Sequence, residues 1–248
     1  MTSMIAMAPL PSLASLQSVP GFESTAYAYL NGKLVWAGGE GVSAHPRHAA
    51  SPWFPELKVY DAIRLKSGAQ TCLAQITSSP LLFAPVKGLL LWLVGRPLAF
   101  PLLHAQNRFD AVRLALETND LQAFESAALR VLGLGDGLTP SGDDFVGGIF
   151  FALAHAPLQA WTPHLEGVKT KIRAAAKTAT NPISAALLDD LIEGASHRAL
   201  HDMLDAIASM DAIKMEASYA DLMRLGASSG ADMLAGLLLA LASLNLTC

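Results

Sequence analysis

A chain of 248 residues is long enough for one large domain or two small ones, and either can bury a sizeable core. With hydrophobic residues at 52% and charged residues at only 15%, disorder is excluded and much apolar surface is left for the chain itself or a partner subunit to cover. The formal charge of -4 lacks the basic footprint of a nucleic-acid binder, and no stretch interleaves Lys or Arg with aromatics.

In chain order, the first residues, MTSMIAMAPLPSLASLQS, have no basic stretch and are broken by prolines, so no signal peptide is expected. STAYAYLNGKLVWAGG places Asn31-Gly32 between two apolar, aromatic-rich runs and predicts a tight hairpin. Further strands are predicted at 58–65, 71–77 and 89–94, in a half heavily punctuated by Gly and Pro. Near Asn107 the spacing of apolar residues becomes helical. It predicts helices at 108–118, 121–132, 142–155, 164–178, 182–191, 195–209, 215–225 and 230–244. The expected fold is α+β: a β-rich N-terminal region, 1–106, packed on a mainly α-helical region, 107–248. The apolar runs at 81–103 and 233–246 are interrupted or too short to span a bilayer and read as core. Cys72 and Cys248 sit in no CxxC or Cys/His cluster, which suits idle thiols in a reducing cytoplasm. His197 and His201 are four apart and share a helix face, half of a zinc-type pattern, but no third ligand stands nearby; a polar helix surface is expected and no metal or other cofactor.

The densest chemistry lies at 133–148, GLGDGLTPSGDDFVGG. Gly133, Gly135 and Gly137 permit φ > 0 and close approach of backbone to a ligand, while Pro140 stiffens the turn. Ser141 stands where an N-cap is expected, and Asp143 and Asp144 fall in the first helical turn, where negative charge complements the helix dipole. Capping alone does not call for so many glycines, hydroxyls and carboxylates together, and amides at a helix start can bind anionic oxygens. No Lys follows the glycines and the spacing is GxGxG, so ATP and dinucleotide signatures are absent. A second segment, LGASSGADMLAG, aligns Ser229, Gly230, Asp232 and Gly236 with Ser141, Gly142, Asp144 and Gly148. If the two helix starts face each other, they present paired hydroxyls, amides and carboxylates to one small polar ligand. Thr180, Asn181 and Ser184 form a third polar helix start, explained by capping or by lining the same cleft. Lys87, Arg96 and Arg173 are cations that could pair with an anion.

GLGDGLTPSGDDF, the Thr-rich helix start and SSGADMLAG together resemble a bacterial family that includes the AllH-type subunit of oxamate carbamoyltransferase. The matching motifs lie between Gly133 and Gly236. Membership implies a part in purine and allantoin breakdown, where oxalurate and phosphate become oxamate and carbamoyl phosphate in an assembly of three different subunits. The chain has Asp136 where members usually have Pro and Ala227 where they often have His.

Three functional expectations follow, the last of them a stand-alone sensor or storage module that binds a small carboxylate. In the first, the chain is a transferase subunit: amides of Gly135, Gly137 and Gly142 cradle an oxyanion and Thr139 and Ser141 orient substrate. Asp143 or Asp144 then accepts or relays a proton, and Thr180, Ser184, Ser228, Ser229, Gly230 and Asp232 complete the binding wall. In the second, the same turns form a non-catalytic binding or scaffolding surface, since no Ser-His-Asp, Cys-His or metal set is visible. Carbamoyl phosphate, oxalurate or phosphate is the expected ligand. Other transferase subunits are the expected partners, in a cytoplasmic oligomer that contacts neither membrane nor nucleic acid.

Overall fold

The computed structural model describes residues 17–18, 25–30, 33–38, 43–49, 52–79, 82–156 and 161–243. Most of the N-terminal stretch read for a signal peptide, the Asn31-Gly32 turn itself and Cys248 lie outside the described residues. Three strands, β1 (Gln17–Ser18), β2 (Thr25–Leu30) and β3 (Lys33–Gly38), form an antiparallel meander in the order β1-β2-β3. Leu30 pairs with Lys33, so β2 and β3 are the expected hairpin. Ten helices follow among the described residues: α1 (Ala62–Ser78), α2 (Leu89–Leu93), α3 (Gln106–Glu117), α4 (Leu121–Val131), α5 (Ser141–His155), α6 (Thr162–Ala179), α7 (Pro182–Ile192), α8 (Arg198–Ser209), α9 (Ala212–Leu222) and α10 (Ser229–Ser243).

The β-rich N-terminal half is therefore a misreading. Of the strands expected after the hairpin, 71–77 lies inside α1 and 89–93 is α2, while 58–61 leads into α1 and 62–65 is its first turn. Asp61 caps α1 by accepting from the Arg64 amide at 2.8 Å, and Leu65, Ala69, Cys72 and Ile76 recur at helical spacing on its buried face. The β-branched Thr71 and Thr77 are accommodated by donating to the carbonyls of Ser67 and Leu73 one turn back. One cluster of buried apolar side chains joins α1 and α2 to the later helices.

α5 and α10 are apolar on nearly every side, and such helices belong at the centre of a fold. They cross closely because Gly148 and Gly236 have no side chains. A methyl group on Gly148 would stand 2.1 Å from the Met233 carbonyl oxygen, and one on Gly236 would stand 2.0 Å from that of Phe145. Met233 occupies in α10 the position Phe145 holds in α5, so the contact is reciprocal.

The reciprocity extends to a repeat. α3, α4 and α5 have 12, 11 and 15 residues, and α8, α9 and α10 have the same three lengths. Each α3–α4 and α8–α9 junction has one left-handed residue, Asn119 or Met210, followed by an aspartate, Asp120 or Asp211, that caps the next helix. The Asp120 amide bonds to the Ala115 carbonyl and that of Asp211 to the Ala206 carbonyl. After each second helix, the Gly142 amide reaches Leu134 O and the Gly230 amide reaches Leu225 O. Either glycine would drive a Cβ to 1.8 Å from the carbonyl ending the preceding helix, Val131 or Leu222. The echo between 141–148 and 229–236 is thus one stretch of a repeated three-helix unit. No helix among the described residues is long and apolar enough to cross a membrane.

Candidate functional site

The crossing of α5 and α10 brings the two SGxD helix starts together. Thr139 Oγ1 lies 2.6 Å from Ser229 Oγ, a hydrogen bond linking the loops before α5 and α10. Above that bond is a cavity of about 430 Å³. Its floor is Gly137, Leu138, Thr139 and Asp144 from one repeat and 225–229 from the other, with Met233 behind. Leu187 and Leu191 of α7 form an apolar side. Tyr27 and Trp36 of the hairpin, with His45 and His197, form an aromatic far wall.

Asp143 and Asp144 have different surroundings. Asp143 is buried and saturated: Oδ1 accepts from the Gly133 amide and Oδ2 from the Ser184 hydroxyl, both at 2.7 Å. It staples the glycine-rich loop to α7. Asp144 faces the cavity, is only 4% exposed, and its Oδ2 meets no hydrogen-bond donor among the described residues. Burial and then the neighbouring Asp232 push its carboxyl well above the usual range; the hydroxyls of Ser229 and Thr139 oppose this and Asp143 adds to it. Asp232 is fully buried, accepts from the Leu89 amide at 2.6 Å, and likewise leaves Oδ2 without a partner. Burial raises it to about 6, against the Leu89 amide, the hydroxyls of Ser141 and Ser228, and Lys87.

The remaining expected residues divide into those at the cavity and those away from it. Gly137, Thr139, Ser228 and Ser229 line it. Ser141 is the first residue of α5, with Pro140 as the cap residue, because the serine side chain turns inward beside Asp232. The amides of Gly142 and Gly230 are taken by Leu134 and Leu225 carbonyls, and Gly135 packs beneath Ser141, where a Cβ would stand 2.7 Å from its amide nitrogen. Gly137 has φ 97 and open space where a Cβ would be, so its backbone alone among the loop glycines borders the cavity. Ser184 bonds to Asp143, and Thr180 Oγ1 is buried without a partner; neither reaches the cavity lining. Asn181 caps α7 and donates to the Leu138 carbonyl at 2.8 Å, which fixes the loop from the α7 side. Of the three cations, Lys87 donates to the Met223 carbonyl at 2.8 Å and holds the turn before α10. Arg173 is paired with Asp189 and Glu193, and Arg96 is exposed at the end of α2.

Trp36, His45 and Arg224 are not among the expected site residues and His197 was expected on a polar helix surface, yet all four line the cavity. Segment 43–49 carries His45 there by docking on α8: Ala44 O accepts from the Arg198 amide, Ser43 Oγ caps α8 through the Ala199 amide, and Arg47 pairs with Asp190 of α7. His197 Nδ1 donates to Ser43 O at 3.2 Å, leaving Nε2 as a bare acceptor. His45 Nδ1 accepts from the Arg47 amide at 3.1 Å, so its proton is on Nε2. Burial holds His197 down at about 4 and His45 well below the usual range. His201 is no surface residue either: it is buried against Trp53, Phe151 and His155. Arg224 stands directly before Leu225, where the first unit has Gly133 before Leu134, so the repeat does not mark it. Among the described residues no group of three His, Cys, Asp or Glu is placed to hold a metal ion.

The cavity floor, both SGxD turns, α5 through α9 and most of α10 fall within one stretch that is similar to a known family. Residues 131–241 match the family model described as oxamate carbamoyltransferase subunit AllH. The match supports the resemblance drawn from GLTPSGDD and SSGAD. It begins at the end of α4 and covers the floor, His197 and Arg224, but not Tyr27, Trp36 or His45. The chain matches no curated protein and no solved structure.

Proposed function

We propose that this chain is a subunit of a carbamoyltransferase of the oxamate carbamoyltransferase type, acting in purine and allantoin catabolism, and that the cavity above Thr139 and Ser229 takes its small anionic substrate. The observation that carries this reading is Asp144, a nearly enclosed carboxyl on the cavity lining with one oxygen, Oδ2, left without an internal partner among the described residues. A buried polar atom left unpaired is costly unless a ligand completes it. In the reaction a phosphate oxygen attacks the ureido carbon of oxalurate and the C–N bond to the oxamate nitrogen breaks. The proton on phosphate ends on that nitrogen, giving oxamate and carbamoyl phosphate. Asp144 is placed to relay that proton, while Thr139, Ser228 and Ser229 orient the substrate and Arg224 meets its charge. In the complex reconstituted with its partner subunits, Asp144→Asn should lower kcat by about 100-fold or more. Full activity of that variant would sink the assignment.

A second reading, a non-catalytic binding or scaffolding subunit, is favoured by one observation. The amides of Gly142 and Gly230 are bonded internally, so this chain by itself offers few free donors for an oxyanion. Calorimetry of the isolated chain with oxalurate, carbamoyl phosphate and phosphate separates the two: heat without a partner supports the first, and heat only with a partner subunit supports the second. Either reading has other subunits as partners and a cytoplasmic setting. The exposed Phe54, Phe100 and Ile213 suit such contacts.

A further inference from the structure

We propose that Asp232 is a positioning residue that keeps Asp144 in its carboxylic-acid form, so that the cavity offers a proton donor to an acceptor atom of its ligand: a carboxylate, carbonyl or phosphate oxygen, or a departing amide nitrogen. This rests on the cavity being the substrate site and assigns the protonation state in which it works.

The two carboxyls come from equivalent positions of the repeated unit, each one turn before the glycine of the α5–α10 crossing, Gly148 or Gly236, and the charge of Asp232 acts on Asp144. Both are more than nine-tenths buried and each has an unpartnered Oδ2. Two carboxylates so placed cannot both ionise at neutral pH, because the second charge gains no solvation and meets the first.

Their surroundings decide which one holds the proton. Asp232 has the Leu89 amide at 2.6 Å, serine hydroxyls on either side, and the ammonium of Lys87 acting on it, all of which favour an anion. Gly88 allows this approach, since a Cβ there would stand 2.2 Å from Asp232 Oδ1. Among the described residues no backbone amide and no cation is bonded to Asp144. Its hydroxyl neighbours, Thr139 and Ser229, share one hydrogen bond at 2.6 Å, which uses one of their two protons and leaves the other for Asp144. Asp143, one residue away, adds negative charge. Across the cavity His45 and His197 stay neutral, and Arg224, paired with Asp221, and Asp136 stand at the exposed edge. The charge therefore settles on Asp232 and the proton on Asp144.

The test is carboxyl NMR of the full chain labelled with ¹³C at aspartate, followed over pH in the wild type, Asp144→Asn and Asp232→Asn. Asn at 232 can still accept the Leu89 amide, and circular dichroism checks the fold. One signal, missing in Asp144→Asn, should remain in the acid form at neutral pH and should ionise at clearly lower pH in Asp232→Asn. Oxamate, whose carboxylate does not titrate in this range, is the binding probe. Its affinity should fall by about tenfold or more from mildly acidic to alkaline buffer in the wild type. The fall should begin at lower pH in Asp232→Asn and vanish in Asp144→Asn, whose amide keeps a donor. An Asp144 signal that ionises in the ordinary acid range, or that Asp232→Asn does not move, overturns the proposal even if oxamate binds. The expected NMR behaviour with no oxamate binding at any pH upholds the proton placement and counts against the substrate reading instead.

Discussion

Asp143 binds inward with both oxygens while the adjoining Asp144 keeps one free, so they should respond in opposite ways to substitution. Asp143→Ala strands the Gly133 amide and the Ser184 hydroxyl in a buried place and should cost about 3 kcal/mol in urea unfolding. Asp144→Asn removes no bonded partner and should leave stability level or raised while activity falls. Glycines divide in the same way. Gly236→Ala forces a methyl group against the Phe145 backbone and should cost about 2–3 kcal/mol or more. Gly167→Ala, on exposed α6 with nothing within 4 Å, should stabilise by about 0.5–1 kcal/mol. GLTPSGDD and SSGAD made Asp144 and Asp232 legible because turn chemistry is local. Trp36, His45 and His197 were not legible, because they reach the cavity through the docking of 43–49 on α8, a contact between segments about 150 residues apart.

At the scale of elements, all eight later helices could be read from apolar spacing, since each has a face to bury. α1 and α2 were misread for a physical reason. α2 is five residues long, too short for periodicity to separate helix from strand, and the Thr and Ile residues of α1 favour strands only until its buried stripe outweighs them. The α5–α10 crossing carries a pH dependence. The folded Asp232 carboxyl, at about 6, lies above its ordinary value of 3.8, so its contribution to stability is full in acid and is lost as pH rises through about 6. Asp232→Asn should therefore be more stable than wild type at neutral pH, by about 1–3 kcal/mol, and no different in acid. Urea midpoints at the two pH values measure this.

For the whole molecule, the buried histidines oppose that trend. His197 is lowered to about 4 and His201 to about 3, both chiefly by burial, so the stability they provide is present above the ordinary histidine value and is lost as pH falls toward those values. The two slopes overlap in mildly acidic buffer, and the wild-type melting temperature should be nearly flat there. His201→Phe, which fits among Trp53 and Phe151, should uncover a rise in stability on acidification. Asp232→Asn should uncover a fall. Thermal melts of the three proteins across that range check both slopes.

The two helix starts under the cavity are near copies, yet oxalurate, the substrate proposed for it, differs at its two ends. A floor built from a doubled unit cannot by itself tell a carboxylate end from an amide end. Directionality has to come from what the two halves do not share: Asp144, which lines the cavity, against Asp232, which does not, and the wall of Tyr27, Trp36 and His45 on one side only. That wall lies outside 131–241, the matched segment. A chain that kept this floor and exchanged the hairpin and segment 43–49 would hold the same acid over a different selection of molecules. Substrate choice could then change without touching the proton-handling residues.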